Sequence, residues 1–216
     1  MSLTTLKRRL ADRLTSPADA RPHGRARLSD YDLNPDVPRA ERTLRQAAVL
    51  VPVIAHDGGA TVLLTRRSDT LSSHTGQIAF PGGRLDPGET AVDAALREAF
   101  EEVALDPAAV EIVGLSDPYE TVTGFLVTPV VGWIDRPPRL IASPDEVAEI
   151  FETPWDFLMD AANHVRESRT FDGGETRHFW AMPWGERYIW GATAGIIRGL
   201  RARLYHDEAD LAEDAA

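Results

Sequence analysis

The chain has 216 residues, no cysteine and a formal net charge of −11 at pH 7. This length, with a hydrophobic share of 43%, suits one domain with a sizeable core, and the missing cysteines exclude a disulfide framework, a thiolate metal site and a cysteine nucleophile. The acidic balance argues against broad nucleic-acid binding and leaves room for an anionic substrate where a cation supplies local positive charge; no apolar run reaches membrane-spanning length.

Residues 3–14 read as a short amphipathic helix without a signal-peptide apolar core, which points to the cytoplasm. Residues 15–45 carry scattered prolines and many arginines (Arg21, Arg25, Arg27, Arg39, Arg42 and Arg45), and read as an arm. Ala47 to His56 is a Val-rich run expected as a buried strand, Asp57-Gly58-Gly59 a hairpin turn, and Thr61 to Arg66 the returning strand. Residues 68–78 are polar and loop-like, and Ile78-Ala79-Phe80 forms a short strand before Pro81-Gly82-Gly83. A helix follows, capped by Thr90 with Asp93 three residues on. Strands are expected at 110–115 and 125–134, with a loop between them at the mouth of a site. A Pro-rich turn segment covers 136–144, a strand 147–151 and a short helix 154–160. A hairpin turns at Asp172-Gly173-Gly174 between 164–171 and 176–182, and a last helix runs from Ile189 to Leu204 before an acidic tail. The expected organisation is a helix and arm over 1–45, a main domain over 46–205 and a tail over 206–216. The mixed order of strands and helices suits a helix–sheet–helix sandwich.

The stretch from Gly83 to Leu105 concentrates carboxylates beyond what solubility requires. At about 100° per residue, Glu98, Glu101 and Glu102 share one helix face, and Val92, Leu96, Ala99, Phe100 and Val103 fall on roughly the opposite, packing face. Like charges three and four apart destabilise a helix by roughly 0.2–0.5 kcal/mol per pair, and a divalent cation would remove that repulsion. Carboxylates on one face suit hard cations such as Mg²⁺ or Mn²⁺.

This spacing resembles the Nudix box, Gly-x5-Glu-x7-Arg-Glu-U-x-Glu-Glu-x-Gly-U, where U is a bulky aliphatic residue. Gly83, Glu89, Arg97, Glu98, Glu101, Glu102 and the closing Leu105 match. Ala99 stands where U is expected and Ala104 where Gly is expected. The resemblance implies an α/β Nudix fold, an α/β/α sandwich with a mixed sheet, and metal-dependent cleavage of a diphosphate. It implies Glu98, Glu101 and Glu102 as metal ligands, helped by the Gly82 carbonyl and by Glu89, with Arg97 orienting the carboxylates. For the base that takes the proton of the attacking water, the resemblance implies Glu98 or a loop acid, Glu146 or Glu149, with Glu120 behind them.

Upstream, Leu63-Leu64-Thr65-Arg66-Arg67-Ser68, Gly76 and Phe80-Pro81-Gly82-Gly83 are similar to the signature of coenzyme A pyrophosphatases, Leu-Leu-Thr-x-Arg-Ser-x3-Arg-x3-Gly-x3-Phe-Pro-Gly-Gly, with Ser72 in place of its middle Arg. This resemblance implies hydrolysis of coenzyme A (CoA) or its derivatives, with Arg66, Arg67, Ser72, His74 and Gly76 toward the substrate. The alternatives are a Nudix hydrolase of another nucleoside diphosphate derivative (ADP-ribose, NADH or a nucleotide) and a ligand-sensing Nudix domain that does not cleave. The expected partner is a small nucleotide-diphosphate substrate, with neither nucleic acid nor membrane, acted on by a monomer or homodimer.

Overall fold

The structure is a computed structural model, which describes residues 1–19, 26, 28–39, 42–68, 76–170 and 174–205. In chain order the elements are α1 (Leu3–Arg13), β1 (Leu28–Ser29), β2 (Arg45–His56), β3 (Gly59–Arg67), β4 (Ile78–Ala79), β5 (Gly82–Arg84), α2 (Ala91–Val103), β6 (Glu111–Leu115), β7 (Tyr119–Glu120), β8 (Phe125–Ile134), β9 (Val147–Pro154), α3 (Trp155–Met159), β10 (Val165–Thr170), β11 (Thr176–Trp184), β12 (Arg187–Trp190) and α4 (Ala192–Tyr205). Among the described residues β1–β9 form one mixed sheet and β10–β12 a smaller antiparallel one.

Strand β2 is the spine. It runs parallel to β8 from Arg45↔Phe125 to Ile54↔Ile134 and antiparallel to β3 at its far end. At its near end the short β5 pairs with it instead, Val49 opposite Gly82. A strand with neighbours on both edges and layers on both faces must be apolar on both, and β2 is buried almost throughout. Its alternate residues feed two cores. Ala48, Leu50 and Ile54 meet Ala94, Ala95, Ala99 and Val103 of α2. Val51 and Val53 face the other way, into a core with Leu6 and Leu10 of α1, Trp155 and Leu158 of α3, Met182 and Ile189 of the small sheet, and Ile197 and Leu200 of α4. The helix–sheet–helix layering expected from the element order is present, and no helix among the described residues is long and apolar enough to cross a membrane.

Several expectations shift. Phe100, placed on the packing face of α2, is 55% exposed. Ala94, Ala95 and Ala99 lie against the sheet in its stead, because three small side chains let the helix approach closely, and that rotation carries Glu102 inward to 4% exposure. The last helix begins at Ala192 and not at Ile189: Arg187–Trp190 pair with β11 as a third strand, and Gly191 turns at φ 64°. Strand β9 runs on to Pro154. The arm supplies β1, which pairs in parallel with β7. Arg21, Arg25, Arg27, Ser72, His74 and the turn residues Asp172 and Gly173 lie outside the described residues.

Candidate active site

Helix α2 is fixed at both ends. The Thr90 hydroxyl accepts from the Asp93 N–H, and the Asp93 carboxylate accepts from the Thr90 N–H at 3.0 Å, a reciprocal capping box. At the other end Ala104 adopts the left-handed conformation, φ 55° and ψ 31°, at the position where Gly is usual. It is the one non-glycine residue with positive φ among those described. The 136–144 segment then wraps this end: the Ile141 N–H donates to the Val103 carbonyl at 3.0 Å and the Ser143 N–H to the Glu102 carbonyl at 2.8 Å. Helix-end carbonyls that would lack partners are thereby satisfied, and Glu146 is brought over the acidic face.

Arg97 organises that face. Its Nε and Nη2 grip the two oxygens of Glu89 at 2.7 and 3.0 Å, its Nη1 donates to Glu98 at 2.9 Å and Glu101 at 3.1 Å, and its Nη2 also reaches the Arg84 carbonyl at 3.1 Å. A planar fork with five donors can make these five bonds at once, where a lysine has only three donors. Arg97 and the Asp86 N–H hold the Glu89 carboxyl down to about 2. Burial pushes Glu98 above the usual carboxylate range, against the pull of Arg97 and with the Glu101 and Glu146 charges adding to it. Burial likewise raises Glu102 to about 8; Arg67 and a hydrogen bond from the Gly82 N–H oppose this, while Glu98 and Glu146 reinforce it.

The glycines of the preceding turn make room for these acids. A Cβ on Gly83 would run into the Glu98 carboxylate, and one on Gly82 would strike the Ala48 carbonyl and Val49. Glu98 therefore lies directly on the β5 backbone. An open cleft of about 630 Å³ borders this point, lined by Gln46, Arg84, Asp86, Glu89, Arg97 and Glu98 among others.

The structure thus brings together Glu89, Arg97, Glu98, Glu101, Glu102, Gly82 and Glu146, and it separates Arg66 from Arg67. Successive strand residues point to opposite faces. Arg67 lies on the α2 face, 4.0 Å from Glu102. Arg66 lies on the other face beside Glu149, at 3.5 Å. A β-bulge at this step of the β3–β9 ladder turns Val147 toward α2 while Glu149 stays on the far face. Glu149 is consequently tied to Arg66 and Arg187 and not to the acidic cluster. Glu120 sits 3.5 Å from Arg39. The arm arginines hold the loop after β7, Arg42 donating to the Val122 carbonyl at 2.6 Å and Arg45 to the Thr123 carbonyl at 2.9 Å. Gly76, at φ 70°, occupies a backbone region that favours glycine, beside Gln77, whose carbonyl receives the Arg67 N–H.

As arranged, no group of three acidic or histidine side chains among the described residues is set to hold an ion; Arg97 stands between Glu98 and Glu101 as the cation they share. The donor set still fits a hard divalent ion. It is all oxygen, three of its carboxylates sit on one helix, and it includes a carboxylate buried to 4% exposure with Arg67 4.0 Å away. Sequence reasoning missed the burial of Glu102, the contact of Glu98 with Gly83 and the part of Arg187. The adjacent small residues Ala94, Ala95 and Ala99 were an available signal for the first, the glycine pair for the second; Arg187 carried none.

A model of the NUDIX domain matches residues 44–172. An uncharacterised Nudix hydrolase, NudL, of Escherichia coli O7:K1 is 45% identical over 177 residues, which is 80% of this chain and 89% of that protein. NudL of Escherichia fergusonii matches to the same extent. A crystal structure of a Deinococcus radiodurans protein aligns with a TM-score of 0.50 at 15% identity, covering 89% of this chain and 98% of that one, a likeness of fold alone. The matched span contains the whole box with its ordered carboxylates, so this chain belongs to the Nudix hydrolase family.

Proposed function

We propose that this Nudix hydrolase cleaves the diphosphate of CoA or its derivatives, giving 4′-phosphopantetheine species and adenosine 3′,5′-bisphosphate, with Mg²⁺ or Mn²⁺ as cofactor. The observation that carries the diphosphatase part is the burial of Glu102 beside Glu98 and Glu146. Burial among other anions makes Glu102 hold its proton, and a cation bound beside it would offset the cost of ionising it. The choice of CoA is supported by the signature that places Arg66 and Arg67 at the end of β3.

Glu98, Glu101 and Glu102, with the Gly82 carbonyl and Glu89, are the residues that would hold the ion. Bound there, the cation would neutralise the diphosphate, orient it and make water a better nucleophile. The chain supplies the rest. Arg97 gathers Glu89, Glu98 and Glu101 on one face before any ligand arrives, and it would yield its place between Glu98 and Glu101 to a bound cation while keeping its grip on Glu89. Gly82 and Gly83 let the carboxylates lie against backbone. Glu98 or Glu146 takes the proton of the attacking water at a carboxylate oxygen. Arg67, at the rim of the same face, meets a non-bridging phosphate oxygen with its guanidinium.

The test is turnover of CoA, ADP-ribose, NADH and nucleoside diphosphates by the pure protein with each metal, products separated by chromatography. CoA should have the highest kcat/KM and yield the two named products. Faster turnover of ADP-ribose would refute the CoA reading; ligand binding with no turnover of any of them would refute the enzyme.

A further inference from the structure

We propose that Arg66 and Arg187 form a second anion site, which takes a phosphate monoester of the substrate lying apart from the diphosphate. The proposal rests on the CoA reading, since CoA carries such a group on its ribose. The two arginines come from different sheets. Arg66 is the penultimate residue of β3, and Arg187 opens β12 in the small sheet. Both converge on Glu149: Arg187 Nη2 donates to one carboxylate oxygen at 2.5 Å, and Arg66 Nε lies 3.5 Å from the other. Glu149 acts as a spacer that sets two guanidinium groups side by side.

The Arg187 side chain is held rigidly. Its guanidinium lies 4.4 Å from the centre of the Phe151 ring and 5.2 Å from that of Trp184, which themselves stack at 6.2 Å. Its buried Nε has no hydrogen-bond partner among the described residues. A cation packed on aromatic faces keeps a fixed orientation and is weakly hydrated, which suits recognition of phosphate. The pair is partly exposed, with side chains 37% exposed for Arg66, 35% for Glu149 and 33% for Arg187.

Position relative to the acidic cluster gives the substrate geometry. Arg66 and Arg67 have Cα atoms about 3.8 Å apart and side chains on opposite faces of the sheet. A ligand draped over the end of β3 therefore meets Arg67 and the Glu102 side with its diphosphate, and Arg66 and Arg187 with a second phosphate. The chain has Ser72 where the related signature has an arginine; Arg187, from a distant part of the sequence, supplies a positive charge beside the Arg66–Glu149 pair.

The experiment is steady-state hydrolysis of CoA and of 3′-dephospho-CoA by the wild type, Arg187→Ala, Arg187→Lys and Glu149→Gln, with thermal melting to check each fold. Arg187→Ala should raise KM for CoA by about tenfold to a hundredfold, the range for a lost charge-assisted hydrogen bond. KM for 3′-dephospho-CoA should stay within about twofold. Arg187→Lys should recover part of the loss. Glu149→Gln, which removes the negative charge between the arginines, should lower KM for CoA, a change opposite in sign to structural damage. Equal changes for both substrates, or a raised KM for CoA in Glu149→Gln, would overturn the site and leave the CoA reading standing. Wild-type protein that cleaves neither compound would end both.

Discussion

Replacing Glu102 by Gln should stabilise the metal-free protein in mildly alkaline solution and abolish its metal-dependent activity. Burial raises the Glu102 carboxyl from 4.5 to about 8. A group with a raised folded-state value binds its proton more tightly in the native protein than in the unfolded chain. Its stabilising contribution is complete below 4.5 and is lost as pH rises through about 8. At about 1.4 kcal/mol per unit, the loss across this window has an upper limit on the order of 5 kcal/mol, of which about 3 falls between about pH 6 and 8. Glutamine keeps the shape and can still accept from the Gly82 N–H, but it buries amide donors that lack carboxylate partners at a cost of roughly 1–3 kcal/mol. The net gain near pH 9 is therefore about 2 kcal/mol. Urea unfolding in the presence of a chelator, at about pH 6 and about pH 9, measures it. Wild type should lose several kcal/mol between the two conditions and the variant much less, and added Mg²⁺ should stabilise only the wild type. A variant less stable than wild type near pH 9, or one that retains the full pH slope, would refute the assignment of that slope to Glu102.

Two other substitutions test the frame around the acids. Gly83→Ala should leave the fold intact and lower kcat by about a hundredfold, because its Cβ displaces the Glu98 carboxylate and misplacement by about 1 Å can cost that much; kinetics with a circular dichroism control would show it, and an unchanged kcat would contradict it. Ala104→Gly should raise stability by about 0.5–1 kcal/mol, since the left-handed strain at φ 55° of about 1–2 kcal/mol is relieved against the greater entropy of Gly in the unfolded chain. At this chain length that corresponds to a melting point higher by roughly 2–4 °C per kcal/mol.

What the sequence disclosed follows from which physical signals are local. The capping residues Thr90 and Asp93, the hairpin at Asp57-Gly58-Gly59 and the apolar run of β2 are set by neighbours in the chain, and they stand where local rules place them. The rotation of α2 about its axis is not local. Helical periodicity puts Phe100 near Ala99 and Val103, but the sheet accepts only the small side chains at close range, so Phe100 is turned out and Glu102 in. The same limit hides Arg187. Its role depends on the small sheet packing beside β3 and on Glu149 staying on the far face across a bulge, and neither is written in the spacing of its neighbours. Trp190-Gly191-Ala192-Thr193 reads as helix by composition. Gly191 instead separates strand from helix, and the Thr193 hydroxyl fastens the start of α4 to the Ile78 carbonyl at 2.9 Å.

Calorimetric titration of Mn²⁺ into the wild-type protein, Glu98→Gln and Glu102→Gln addresses the acidic face of α2 most directly. Wild type should bind the ion with a clear heat, and each substitution should weaken binding at least tenfold, as expected when a hard cation loses one of its charged oxygen ligands. Equal affinity in all three proteins would contradict a metal centre built on these carboxylates.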